Sequence, residues 1–225
     1  MRARALTVLI LAAGIGTALA ADYPPADRPV AEIVSPVWNS PAVRDRADES
    51  GQLVRALGIT AGMTVADVGA GSGYHTTRLS PVVGPDGRIY AQDVTSAYLK
   101  DLRETVKDLA NVTVIEGTPD DPRLPLRSAD VALLVHMYHE IASPYAFMAR
   151  LAGSMKPGGR VAIVDIDRAT HLHGMPLDLL KCELEAVGYR QIEVKQLTGD
   201  IGYAAIFEPP AEPPPPEAVT PCKTN

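Results

Sequence analysis

The 225-residue chain has only two cysteines, one tryptophan and two phenylalanines, and its mean hydropathy is close to zero. Near-zero hydropathy leaves no room for several membrane spans, and 46% apolar with 21% charged residues is the balance of a soluble globular chain. Positive charge is not in excess either. Lys and Arg number 21 against 27 Asp and Glu, a net charge of −6, which argues against a surface built to neutralise phosphates and so against nucleic acid as a partner. There is no internal repeat and no GxxxxGK[ST] phosphate-binding loop.

What is present begins at the amino end. Arg2 and Arg4 precede an apolar run over 5–19 and the small-residue sequence Ala18-Leu19-Ala20. This is the make-up of a cleavable export signal over 1–20, too short and glycine-interrupted for a membrane anchor. The mature protein is then expected to be periplasmic or secreted, with no stable membrane anchor after cleavage. Such a compartment would let Cys182 and Cys222 bridge, the alternative being two unpaired thiols. Cys182 lies opposite the apolar stripe Leu177, Leu180, Leu184 and Val187, so it is expected to face outward.

After the signal, residues 21–44 read as an extended, proline-rich arm, with apolar pieces Ile33-Val34 and Val37-Trp38 suited to lying over a domain. A single domain follows over 45–208, opening with a helix over 45–57 that stops at Gly58. Apolar β-type runs at 64–68, 88–92, 112–115, 130–136 and 160–165 alternate with amphipathic helical stretches at 74–83, 97–109, 144–155 and 176–187. Strongly apolar strands separated by helices predict an α/β, doubly wound, mostly parallel sheet covered on both faces. The last two runs, 191–196 and 203–207, have no room for a helix between them. They must pair as a C-terminal antiparallel hairpin, which completes seven strands. Residues 209–225 read as a proline-rich, disordered tail without a core role.

The most informative stretch is Asp67-Val68-Gly69-Ala70-Gly71-Ser72-Gly73-Tyr74, a strand ending in a glycine turn that opens a helix. Glycines at alternate positions permit positive φ and remove each Cβ that would block a ligand, while the helix-start amides face it. A dinucleotide site needs a third glycine or alanine at position 74, where this chain has Tyr74. Asp67 to Gly73 resembles motif I of the class I S-adenosylmethionine-dependent methyltransferases, an acidic residue followed by GxGxG. That resemblance implies a Rossmann-like methyltransferase fold with S-adenosylmethionine as cofactor. Asp67 would help hold its ammonium group, and Gly69, Ala70, Gly71 and Gly73 would pack against its amino-acid end. A cationic, phosphate-free cofactor suits a carboxylate beside the loop rather than a lysine.

Asp93, at the end of the second strand, is placed to accept both ribose hydroxyls. Family members usually carry an acidic residue after the third strand that meets the adenine amino group; Asp120 is the candidate, with Asp121 close behind and a solvated turn as the alternative. The fourth strand leads into His136-Met137-Tyr138-His139-Glu140. His136 is expected to line the cofactor pocket, and His139 or Glu140 to act as general base; the structural alternative is that they cap the helix starting near Ser143-Pro144. Zinc ligation by His136, His139 and Glu140 with His171 and His173 is conceivable, but nothing in the spacing demands it and no metal is expected. Lys156-Pro157-Gly158-Gly159 resembles the turn before the fifth strand of this family.

The resemblance spans roughly 57–207 and looks most like exported bacterial proteins described as predicted methyltransferases. No Asn-Pro-Pro-Tyr sequence follows the fourth strand and no cysteine stands as a nucleophile, which argues against methylation of adenine, glutamine or cytosine. The expected activity is methyl transfer to a small O- or N-acceptor. A non-catalytic module that binds S-adenosylmethionine or a nucleoside is the alternative, because the methyl donor is made in the cytoplasm. The sequence leaves the acceptor and the oligomeric state open.

Overall fold

The computed structural model describes residues 22–34 and 40–223, so the expected export signal and Val37-Trp38 lie outside the described residues. Seven strands form one sheet: β1 (Thr64–Val68), β2 (Arg88–Asp93), β3 (Val112–Glu116), β4 (Ala129–Val135), β5 (Met155–Asp165), β6 (Arg190–Leu197) and β7 (Gly202–Glu208). Their order is β3-β2-β1-β4-β5-β7-β6. All neighbouring pairs are parallel except β5 with β7 and β6 with β7. The chain reverses its direction of winding between β1 and β4, and the carboxyl ends of strands at such a switch leave a crevice for a ligand.

Period-two alternation sends residues of the central strands to opposite faces. Val65, Val131 and Leu133 pack with Leu57 of α2 (Glu49–Leu57) and with Leu79 and Val83 of α3 (Tyr74–Val83). Ala91 meets Leu99 and Leu102 of α4 (Ser96–Thr105). On the other face, Ala66, Val68, Ala132 and Leu134 meet Phe147 and Leu151 of α5 (Pro144–Ser154) and Leu180 and Leu184 of α6 (Leu177–Ala186). The expected doubly wound architecture is thus the one observed.

Three local expectations need correction. The helix expected over 45–57 is two helices, α1 (Pro41–Arg46) and α2, because Asp48 takes a left-handed conformation at φ 51° between them. The fifth strand starts at Met155 rather than Arg160, with the Lys156-Pro157-Gly158-Gly159 turn as an irregularity where Ala129 pairs Met155 but Val131 pairs Arg160. The tail is not a disordered appendage. Cys222 is disulfide-bonded to Cys182 at a Cα separation of 6.1 Å, Val219 and Cys222 are buried, and Cys222 N donates to Tyr145 Oη at 2.7 Å. Proline content described the tail's backbone, but its two apolar anchors decide where it lies.

The arm is docked as well. Arg28 reaches into the core, where Nε donates to Glu183 Oε1 at 2.8 Å, both side chains being wholly buried. Its terminal nitrogens donate to the carbonyls of Tyr138, His139 and Ile141. Tyr23 Oη donates to Pro214 O, and the backbones of Asp27 and Lys223 form an isolated parallel β-bridge, so arm and tail hold one another.

Candidate active site

A cavity of about 380 Å³ opens at the carboxyl ends of β1, β2, β4 and β5. Small-molecule sites occupy roughly 300–1,000 Å³. Its floor is the glycine turn, where Gly69, Gly71 and Gly73 have φ of 71°, 56° and 95°. A Cβ on Gly69 would lie 2.8 Å from Met137 Cγ, so only glycine lets the turn pass beneath the end of β4. Gly69, Ala70 and Gly71 line the cavity, whereas Gly73 sits behind the turn, where a Cβ would meet Leu102 at 3.0 Å.

Two buried carboxylates flank this floor. Asp93 accepts Gly71 N–H through Oδ2, and Val94 and Thr95 N–H through Oδ1, all at 2.8–2.9 Å. Three backbone donors fix the carboxylate rigidly while leaving lone pairs for a ligand's hydroxyls. Asp67 accepts Thr76 Oγ1–H at 2.6 Å. Burial is the largest influence on its carboxyl and pushes it up, against His75, Thr76 and Arg44, which favour ionisation. An added cation beside Asp67 would act in the same direction as those three. Gln92 also lines the cavity, and its buried Nε2 has no hydrogen-bond acceptor. Sequence reading passed over Gln92, since an amide one residue before the strand's end has no distinguishing pattern.

At the end of β4 the expectations divide. His136 lines the cavity, held at φ 52°, and burial lowers the pKa of its imidazole. Glu140 lines it too, accepting Val34 N–H at 3.3 Å, with burial raising its carboxyl to about 7. His139 does not line it. Its ring is fully buried and Nδ1 donates to Asp165 Oδ2 at 2.8 Å, so it does not face an acceptor in the cavity. The 3-10 turn Tyr138–Glu140 produces this, pointing adjacent side chains in different directions. Asp120 is likewise displaced: its carboxylate binds Thr118 Oγ1 and pairs with Arg150, and only the neighbouring Pro119 reaches the cavity.

The roof was the least visible part of the site. Ile33 and Val34 of the arm cover the cavity, and α1 and α2 contribute Arg44 and Glu49. Arg44 grips Glu49 with two bonds of 2.8 and 2.6 Å, and His75 Nε2 lies 3.2 Å from the same carboxylate. Burial alone would raise the Glu49 carboxyl, but Arg44 and His75 outweigh it and hold it well below the usual range. Tyr74, the residue that separates this turn from a dinucleotide loop, is clamped between the guanidinium groups of Arg44 and Arg78, 3.7 and 3.8 Å from its ring centre.

A cradle without a lysine, lined by the carboxylates of Asp67, Asp93, Glu49, Glu140 and Asp200 against the single cation Arg44, with apolar patches of Ile33, Val34, Met137, Ile141 and Phe147, suits a cationic ligand better than a phosphate ester. Residues 66–163 match the model of a family described as a methyltransferase domain. The ubiquinone/menaquinone biosynthesis C-methyltransferase UbiE of Shewanella pealeana is 24% identical over 121 residues, 52% of this chain and 48% of that protein. The chain thus spans about half the length of the curated relatives it matches. Among solved structures, a SAM dependent methyltransferase from Aquifex aeolicus superposes with a TM-score of 0.66 at 24% identity, over 75% of this chain and 97% of that one. Aeropyrum pernix fibrillarin, in complex with natively bound S-adenosyl-L-methionine, superposes with a TM-score of 0.52 at 23% identity, over 66% and 67%. The fold is the one these solved structures share, and residues 66–163, a little under half of the chain, carry the match to a methyltransferase domain. Asp67, the glycine turn and Asp93, the residues expected from the sequence to meet a cofactor, stand together at the floor of the cavity.

Proposed function

We propose that the protein transfers a methyl group from S-adenosylmethionine to an oxygen or nitrogen of a small acceptor outside the cytoplasm. When bound, the cofactor supplies an electrophilic methyl on a sulfonium. The observation that carries this reading is the pair of buried carboxylates, Asp67 and Asp93, on either side of a phosphate-free glycine turn. Asp93 would accept the ribose hydroxyls, and Asp67 would stand nearest the ammonium group. The apolar wall formed by Ile33, Val34, Met137, Ile141 and Phe147 excludes water and restricts the acceptor in size. In-line transfer to an aligned nucleophile depends mainly on proximity, so a polar triad is not required. Of the two residues expected to aid catalysis, Glu140 is the one that faces this space.

A site of action outside the cytoplasm is supported by the residues of the amino-terminal 1–20 segment and by the Cys182–Cys222 bridge, which an oxidising compartment would maintain. The curated relatives named as C-methyltransferases keep a carbon acceptor as the competing outcome.

The test is incubation of the protein with methyl-labelled donor and fractionated cell extract, beside Asp93→Asn. Label in a low-mass product, lost in the variant, supports the proposal. Donor binding by calorimetry without any label transfer would identify a non-catalytic binding module instead. If neither protein binds the donor, the site assignment fails.

A further inference from the structure

We propose that His139, Glu140 and His173 form a binding site for a divalent transition-metal ion, zinc in class, at the rim of the cavity. The ligand atoms of these three side chains all lie within 4.8 Å of one another. His136 and His171, the other histidines of the two loops, are not part of the group among the described residues. Sequence spacing gave no reason to expect a metal, because the third ligand arrives from the loop after β5 and is 33 residues away from Glu140 in the chain.

The independent observation is the state of His139. Its side chain is wholly buried, and Nε2 has no hydrogen-bond partner. The other nitrogen, Nδ1, donates to Asp165 Oδ2 at 2.8 Å, while Asp165 Oδ1 accepts Ile166 N–H at 2.8 Å. A carboxylate oxygen accepts, so Asp165 fixes the proton on Nδ1 and leaves Nε2 with an unused lone pair. A buried lone pair without a donor is costly unless something electron-poor occupies the space before it. Carboxylate, imidazole and metal in line is the arrangement in which a neighbouring carboxylate orients and strengthens a histidine ligand.

The loop geometry suits this role. His173 stands at φ 56°, and its carbonyl accepts Arg168 Nε and Nη2 at 3.2 and 2.9 Å, which fixes the loop that presents its ring. The His139 and His173 rings stand edge to face, with centres 5.5 Å apart and planes at 80°. A tetrahedral ion with bonds of about 2.1 Å holds its ligands about 3.4 Å apart, so side-chain rotation of about an ångström closes the set. Two imidazoles and one carboxylate select a borderline ion of the zinc class over magnesium or calcium. Three protein ligands leave a fourth position open. Glu140 lines the cavity, so the open position can receive an acceptor's oxygen or a water.

The site stands independently of the methyl-transfer reading. The experiment strips the protein with a chelator and titrates it with zinc alone, counting bound metal by mass spectrometry after gel filtration. Cobalt substituted for zinc reports the donor set by its visible absorption. We expect one ion per chain, and affinity at least about 10-fold weaker in His173→Ala, Glu140→Gln and Asp165→Asn, the size seen when ligands or their orienting partners are lost. Thermal melting in chelator separates misfolding from ligand loss, because His173→Ala and Glu140→Gln should melt as the wild type does there. Failure of the wild type to retain zinc, or equal affinity in His173→Ala and Glu140→Gln, would overturn the site. Donor calorimetry on the same stripped protein reads the methyltransferase assignment separately.

Discussion

Arg28→Ala removes the cation that ties the arm to the core. In the native protein the Arg28 and Glu183 side chains are both 0% exposed, 155 residues apart in sequence. Arg28 also satisfies three carbonyls in the turn that carries His139 and Glu140. Truncation leaves the Glu183 carboxylate buried without its partner, a loss that costs about 3–5 kcal/mol. For a chain of this size each kcal/mol lowers the melting temperature by about 2–4 °C, so the expected drop is roughly 6–20 °C. The sign of the pH dependence follows from Glu183. Burial already raises its carboxyl, and without Arg28 the acid can be neutralised only by taking up a proton. The penalty should therefore shrink as pH falls. Calorimetric melts at pH 5 and pH 8 measure both effects, and donor titration should weaken as well, because Ile33 and Val34 follow Arg28 onto the cavity. A loss below about 1 kcal/mol at pH 8 would refute the reasoning, since that is the range of exposed ion pairs.

Other consequences are equally accessible. Reducing the Cys182–Cys222 bridge, or Cys222→Ser, opens a loop with a sequence separation of 40; chain entropy sets the cost at about 4 kcal/mol, read as a lower melting temperature with reductant. Gly69→Ala forces a side chain into φ 71° against Met137; a penalty of about 1–3 kcal/mol and loss of donor binding by calorimetry are expected. Glu49 has its pKa depressed in the folded protein, so its stabilisation is present above its ordinary value of 4.5 and is lost as pH falls below it. The difference in melting temperature between wild type and Glu49→Gln should accordingly narrow from pH 6 to pH 3.

The sheet, the hairpin and the glycine turn at the cavity floor were legible because each is a local pattern. Apolar runs mark β1 to β5, the short connection before β7 forces an antiparallel pair, and Asp67 to Gly73 carries its own geometry. Misplaced features depend on contacts distant in sequence. His139 turns away because Asp165 lies behind it, and Asp120 turns to Arg150. The tail is held by Cys182, and the roof by Arg28, Arg44 and Glu49 acting across elements. Glu183, a charged residue of α6, is buried because its partner comes from the arm.

The docking of the arm also sets an order of events. A ribosome delivers the arm's anchors, Glu183, Pro214 and Lys223, long after Tyr23, Asp27 and Arg28. Contacts spanning 155 and 191 residues must wait until the chain has been made as far as those anchors. The segment that emerges early is therefore among the last to find its place, and binding competence arrives only with completion of the fold. A chain that ends before α6 can build the glycine floor but lacks Glu183, the buried carboxylate that pairs with Arg28 of the arm.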